Sequence, residues 1–131
     1  MNGYPIEIDQ NILLFFDKMP GALPLYEAVQ GMICAEFDSV RIKVQKTQIS
    51  FSNKYLFACV SLPFRRRKGW PELCIILTFG LNRRLDDPRV AVAVEPYPGR
   101  WTHHVIIQNE DEVDGQILEW LKEAYQFALV K

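Results

Sequence analysis

From Val40 to Gln108 the chain offers about six strand-like segments, and no gap between them is long enough for a crossover helix. A parallel connection needs a dozen or more residues, whereas an antiparallel one closes in a tight turn. The pattern therefore calls for a largely antiparallel sheet. Val40, Ile42 and Val44 alternate with Arg41 and Lys43, and Ile49 and Phe51 alternate with Gln48 and Ser50. The phase changes between the two, which predicts a turn or bulge at 45–47. Residues 55–62 and 73–79 are apolar on both faces, as interior strands are. Segments 89–95 and 101–108 complete the set, with Pro and Gly punctuating the gaps.

Helical patterns flank the strands. Asp9 is a candidate cap for a helix carrying Ile12, Leu13, Phe15 and Phe16, which Pro20-Gly21 should end. A second helix starts near Pro24, with Leu25, Ala28, Val29, Met32 and Ile33 as its apolar stripe, and ends near Phe37-Asp38. A third runs from about Asp111 to Leu129, its first turn carrying Asp111, Glu112 and Asp114 where carboxylates suit the helix dipole. The expectation is one α+β domain over residues 1–131, an antiparallel sheet of five or six strands with three helices packed on it.

Charge is unevenly placed. Between Ser39 and Pro71 stand eight basic side chains, Arg41, Lys43, Lys46, Lys54, Arg65, Arg66, Arg67 and Lys68, with no Asp or Glu. The formal net charge of −1 hides this, because acids collect towards both ends. Alternation points Arg41 and Lys43 away from the core, and Arg65–Lys68 fall in a loop between strands. An anion site is one reading and a solvated surface the other, with the near-neutral pI of 6.1 weighing against nucleic acid.

Several chemistries are not supported. No run of about 18 apolar residues predicts a membrane span, and the acidic start does not resemble a secretory signal. Cys34, Cys59 and Cys74 are widely spaced in apolar patterns, which predicts three free core thiols in a reducing cytoplasm. His103 and His104 are neighbours on a strand and so project to opposite faces, which disfavours a shared metal. The former should be semi-buried beside Trp101, Val105 and Ile107. Asp86-Asp87 and Glu110-Asp111-Glu112 have turn and cap explanations. Nucleotide-binding glycine loops, a nucleophile elbow and a zinc-protease motif are all missing. No cofactor and no metal is expected.

The segments FFDKMPGALPLYEAV, VRIKVQKTQISFSNKYLFACVSLP and PGRWTHHVIIQNEDEVDGQILEWLKEAYQFA resemble a bacterial family catalogued as domain of unknown function 5655. The resemblance covers nearly the whole chain. Its most recognisable pieces include Lys46-Thr47-x-Ile49-Ser50-Phe51, Arg100-Trp101-Thr102-His103-His104 and Trp120-Leu121-x-x-Ala124-Tyr125. It implies a compact module and assigns no catalytic residues. A weaker similarity, in layout only, is to small α+β domains of the YdhG-like type.

The leading expectation is a cytoplasmic, non-enzymatic binding module for an anionic ligand or protein partner. Lys43, Lys46, Arg65, Arg66, Arg67 and Lys68 would supply charge, and Trp101 and His104 shape and hydrogen bonding. Nucleic acid is the less favoured partner and a membrane is not expected. One alternative is a small-molecule or catalytic pocket between sheet and helices near Lys46, Tyr55, Trp101 and His103. Another is a homodimer formed through a free edge strand or a helix face.

Overall fold

A computed structural model describes residues 10–63 and 70–130. Three helices and six strands follow in the order α1 (Gln10–Phe15), α2 (Leu23–Glu36), β1 (Arg41–Val44), β2 (Ile49–Ser52), β3 (Leu56–Ser61), β4 (Ile75–Leu81), β5 (Val90–Tyr97), β6 (Arg100–Ile107) and α3 (Gly115–Val130). The strands form one sheet in the order β1-β2-β3-β4-β6-β5, and every pairing is antiparallel. The fold is thus the α+β class that the short gaps dictate.

Directly paired residues in an antiparallel sheet project to the same face. The register therefore sorts each strand into two sets. One set forms the row Ile42–Phe51–Ala58–Phe79–His103–Ala93 and the row Val44–Ile49–Val60–Leu77–Val105–Val90. These rows meet the helices. Tyr26 of α2 stacks on Phe51, and Trp120 of α3 stacks on Phe79. Leu25, Tyr26, Val29 and Ile33 of α2, with Ile117, Trp120, Leu121, Ala124 and Ala128 of α3, complete the core.

A bulge adapts the sheet to its helices. Phe51 pairs with Ala58 and Ser52 with Leu56, so Phe57 is an extra residue in β3. Side chains of adjacent bulge residues can lean to the same side. Phe57 and Ala58 are both buried, and Phe57 packs edge-on against Phe37 and Tyr125, whose rings stack at 4.3 Å. Asn53 ties the β2–β3 turn to the same place. Its Nδ2 donates to the Tyr125 carbonyl at 3.1 Å, and its Oδ1 accepts from the Tyr55 N–H at 2.8 Å.

Local departures from the sequence expectations have identifiable causes. Pro20-Gly21 does not end the first helix. α1 stops at Phe15, the N–H groups of Asp17 and Met19 close tight turns onto Leu14 and Phe16, and Pro20–Ala22 form a 3-10 turn that leads into α2. The third helix starts four residues late. Asn109 and Glu112 cap one another around a 3-10 turn at Glu110–Glu112, and the Asp114 carboxylate then accepts the Ile117 N–H at 3.1 Å, capping α3. Cys34 is exposed, not a core thiol, because it follows core-facing Ile33 on α2, whereas Cys59 and Cys74 are buried; all three are free. His103 is fully buried, beyond the semi-buried position expected of it.

The helix-free face of the sheet as candidate functional site

The second set of side chains projects from the face that carries no helix-packed row. Its central row runs through all six strands: Lys43–Ser50–Cys59–Thr78–His104–Val92. Alongside lie Arg41, Ser52 and Leu56 on one half and Gly80, Thr102 and Val94 on the other. Ser61, Ile76 and Ile106 form the row on the opposite flank. Arg100 follows the alternation of Thr102 and His104 and pairs with Tyr97. No Asp or Glu stands in these rows.

Hydrogen bonds organise the middle of the face. Thr78 Oγ1 lies 2.8 Å from His104 Nδ1. Burial pushes the Cys59 thiol above its ordinary pKa, while a hydrogen bond with Thr78 works in the opposite direction. A buried, protonated thiol of this kind is packing and not a nucleophile. Ser50 is only 5% exposed, and its hydroxyl donates to Gln45 Oε1 at 2.6 Å and accepts from Gln48 Nε2 at 2.9 Å.

The cations on this face have little to neutralise them. Arg41 donates to the Asn53 carbonyl at 3.3 Å, and Arg100 lies over the Tyr97 ring with its guanidinium carbon 5.9 Å from the centroid. Among the described residues, neither of these arginines nor Lys43 enters an ion pair. Arg41, Lys43, Ile42 and Ser52 line a shallow depression at the β1 edge. Asp38 lines the adjoining one, with Arg41 and Asn53, without pairing with the arginine. Other basic side chains are matched. Arg83 makes two hydrogen bonds of 2.8 Å to the Glu123 carboxylate, Arg89 reaches both oxygens of Asp114 at 3.1 Å, and Lys122 lies within 4.0 Å of Glu36 and 3.5 Å of Glu119.

The residues expected at a site are separated by these two faces. Lys43 and His104 share the central row. Lys46 is exposed in the β1–β2 turn, where it lines a depression with Leu14, Phe15, Asp17 and Lys18 beside α1. Trp101 has the alternation of His103 and therefore lies on the helix side, half-buried, with the Arg84 guanidinium carbon 5.8 Å from its ring centroid. It cannot line one surface with His104. Arg65, Arg66, Arg67 and Lys68 lie outside the described residues. Arg41, Ser50, Thr78 and Arg100 complete the face; alternation in the sequence signalled Arg41 and Ser50, whereas the other two need the strand order.

The interior offers no comparable site at His103. Its ring stacks on Phe79 at 5.4 Å, and its Nε2 accepts the Leu85 N–H at 3.0 Å. Burial is the main influence lowering its pKa, partly opposed by the Phe79 carbonyl. Among the described residues no group of three or more His, Cys, Asp or Glu side chains could hold a metal ion. No helix there is long and apolar enough to cross a membrane.

Residues 15–128 match the family described as Domain of unknown function (DUF5655). Neither the curated proteins nor the solved structures contain a match to the chain.

Proposed function

We propose that this chain, which belongs to the DUF5655 family, is a binding module that recognises an anionic ligand through the helix-free face of its sheet. The observation that carries this reading is the charge of that face. Arg41, Lys43 and Arg100 stand on it with His104, none of the three enters an ion pair among the described residues, and no Asp or Glu stands in its rows. The net charge of −1 makes this a local patch set in an otherwise acidic molecule. Such a patch attracts and orients an anion without making the whole protein bind polyanions indiscriminately. The hydroxyls of Ser52, Thr78 and Thr102 add hydrogen-bonding groups among the cations.

Arg65–Lys68 join the same proposal through the sequence, as four cations between β3 and β4. Lys46 and Trp101 have no part in it. The packed surroundings of His103 weigh against a ligand pocket between sheet and helices. Binding to heparin, a phosphorylated ligand or nucleic acid at about 50 mM salt should be measurable and should weaken steeply as salt rises. Absence of binding to all three at that salt sinks the reading.

The two edges of the sheet favour a second, separate property. β1 is short and carries Arg41 and Lys43, whereas Val90–Val94 of β5 has no charge and Val94 is 46% exposed. Uncharged edge strands recruit further strands. The sequence Val-Ala-Val-Ala-Val reads the same in both directions, which suits antiparallel pairing with a second copy of the chain. Light scattering over a range of concentrations should detect a dimer that Val94→Lys abolishes; a monomer throughout rejects it.

A further inference from the structure

We propose that the anion taken by this face is an extended acidic peptide segment lying across the strands, an inference that rests on the anion-binding reading above. The spacing of the cations is the argument. Arg41 and Lys43 on β1 are separated from Arg100 on β6 by four strand-to-strand steps. At about 4.8 Å per step the two strands lie roughly 19 Å apart. A lone phosphate or carboxylate reaches one flank and leaves the other unused. A chain of negative groups reaches both.

The middle of the row selects among such chains. Between these strands Ser50, Cys59 and Thr78 are small and uncharged, and the aromatic rings of this face, His104 and Tyr97, stand only at its β6–β5 end. Nucleic-acid bases gain much of their affinity for open sheets by stacking on aromatic rings. A single strand of DNA or RNA would find such rings only at that end and none across the middle of the sheet. A peptide does not need one, because its own amide groups can exchange hydrogen bonds with the Thr78 hydroxyl and its surroundings.

An extended peptide advances about 3.3 Å per residue, so six residues span roughly 19 Å. Residues six apart in an extended chain project to the same side. The segment that fits therefore carries acidic residues about six positions apart, one set meeting Arg41 and Lys43 and the other meeting Arg100, with small polar residues between. Charge complementarity assigns its ends, and the uncharged centre assigns its middle.

The test compares three fluorescent probes on the intact protein at low salt. The first is a peptide with two glutamates six residues apart. The second is a peptide of the same composition with the two glutamates adjacent. The third is a single-stranded oligonucleotide of similar length. The spaced peptide should bind tighter than the adjacent one by up to about fivefold, as expected for one additional exposed charge contact. Lys43→Gln and Arg100→Gln should each remove that preference, while the far-ultraviolet circular dichroism stays unchanged. Equal binding of the two peptides, or tighter binding of the oligonucleotide, overturns the peptide inference and leaves anion binding standing. If heparin also fails to bind, both readings fall.

Discussion

The Leu85 N–H donates to Nε2 of His103 across 3.0 Å, which fixes the proton of this fully buried ring on Nδ1. Among the described residues Nδ1 itself finds no partner at hydrogen-bonding geometry. A second proton would break the Leu85 hydrogen bond and place a charge in an apolar layer. Burial accordingly lowers the pKa of His103 below its ordinary value. In the unfolded chain the ring takes up a proton near pH 6.5. The unfolded state therefore binds more protons just below that pH, and the stabilisation present above it is lost as pH falls. Urea unfolding should show stability declining below about pH 6.5, by at most about 1.4 kcal/mol per pH unit from this one group. The decline should flatten in His103→Gln. An unchanged slope in that variant contradicts this assignment.

Asn53 joins two distant parts of the chain by satisfying the Tyr55 N–H and the Tyr125 carbonyl at once. Asn53→Ala leaves these groups short of a partner in a poorly hydrated place. It should cost about 1–3 kcal/mol in denaturant unfolding. A loss within experimental error of zero would show that water replaces the side chain.

Phe57 occupies the bulge of β3 and packs edge-on against the stacked rings of Phe37 and Tyr125. Phe57→Ala should destabilise by about 3–5 kcal/mol, the range for a buried aromatic truncation. Phe57→Leu should recover a large part of that loss. If Phe57→Ala unfolds with wild-type stability, the bulge does not deliver this ring to the core.

Asp114 both caps α3 and pairs with Arg89. Burial alone would raise its pKa, but the Ile117 N–H and Arg89 outweigh that and hold it low. Asp114→Ala should cost about 1 kcal/mol, and Asp114→Asn should retain the cap and lose less. Because the folded carboxylate has the lower pKa, its contribution is complete above the ordinary aspartate range and disappears as pH falls below it. Thermal unfolding of the two variants at neutral and acid pH measures both effects.

Much of the scaffold was legible in the chain. Alternation around Arg41 and Lys43 and the phase change before Ile49 placed the first hairpin, and the short gaps dictated an antiparallel sheet. The site was legible only at one margin. Lys43 could be assigned to an outer face from its neighbours, but its alignment with Thr78 and His104 depends on the insertion of β6 between β4 and β5. No local pattern encodes that order. His103 was placed on the correct face, yet its complete burial goes with contacts to Phe79 and Leu85, which are distant in sequence. The late start of α3 arises from competition between two caps, Asn109 and Asp114, either of which could begin a helix.

The central claim is that unpaired cations on the helix-free face bind an anion. A salt titration of heparin affinity tests it, comparing the natural chain with a variant carrying Arg41→Gln, Lys43→Gln and Arg100→Gln together. The account predicts weaker binding by the variant and a plot of log affinity against log salt that is shallower by about 2–3, one counterion per lost contact. Equal affinity and an equal slope in two equally folded proteins would contradict it.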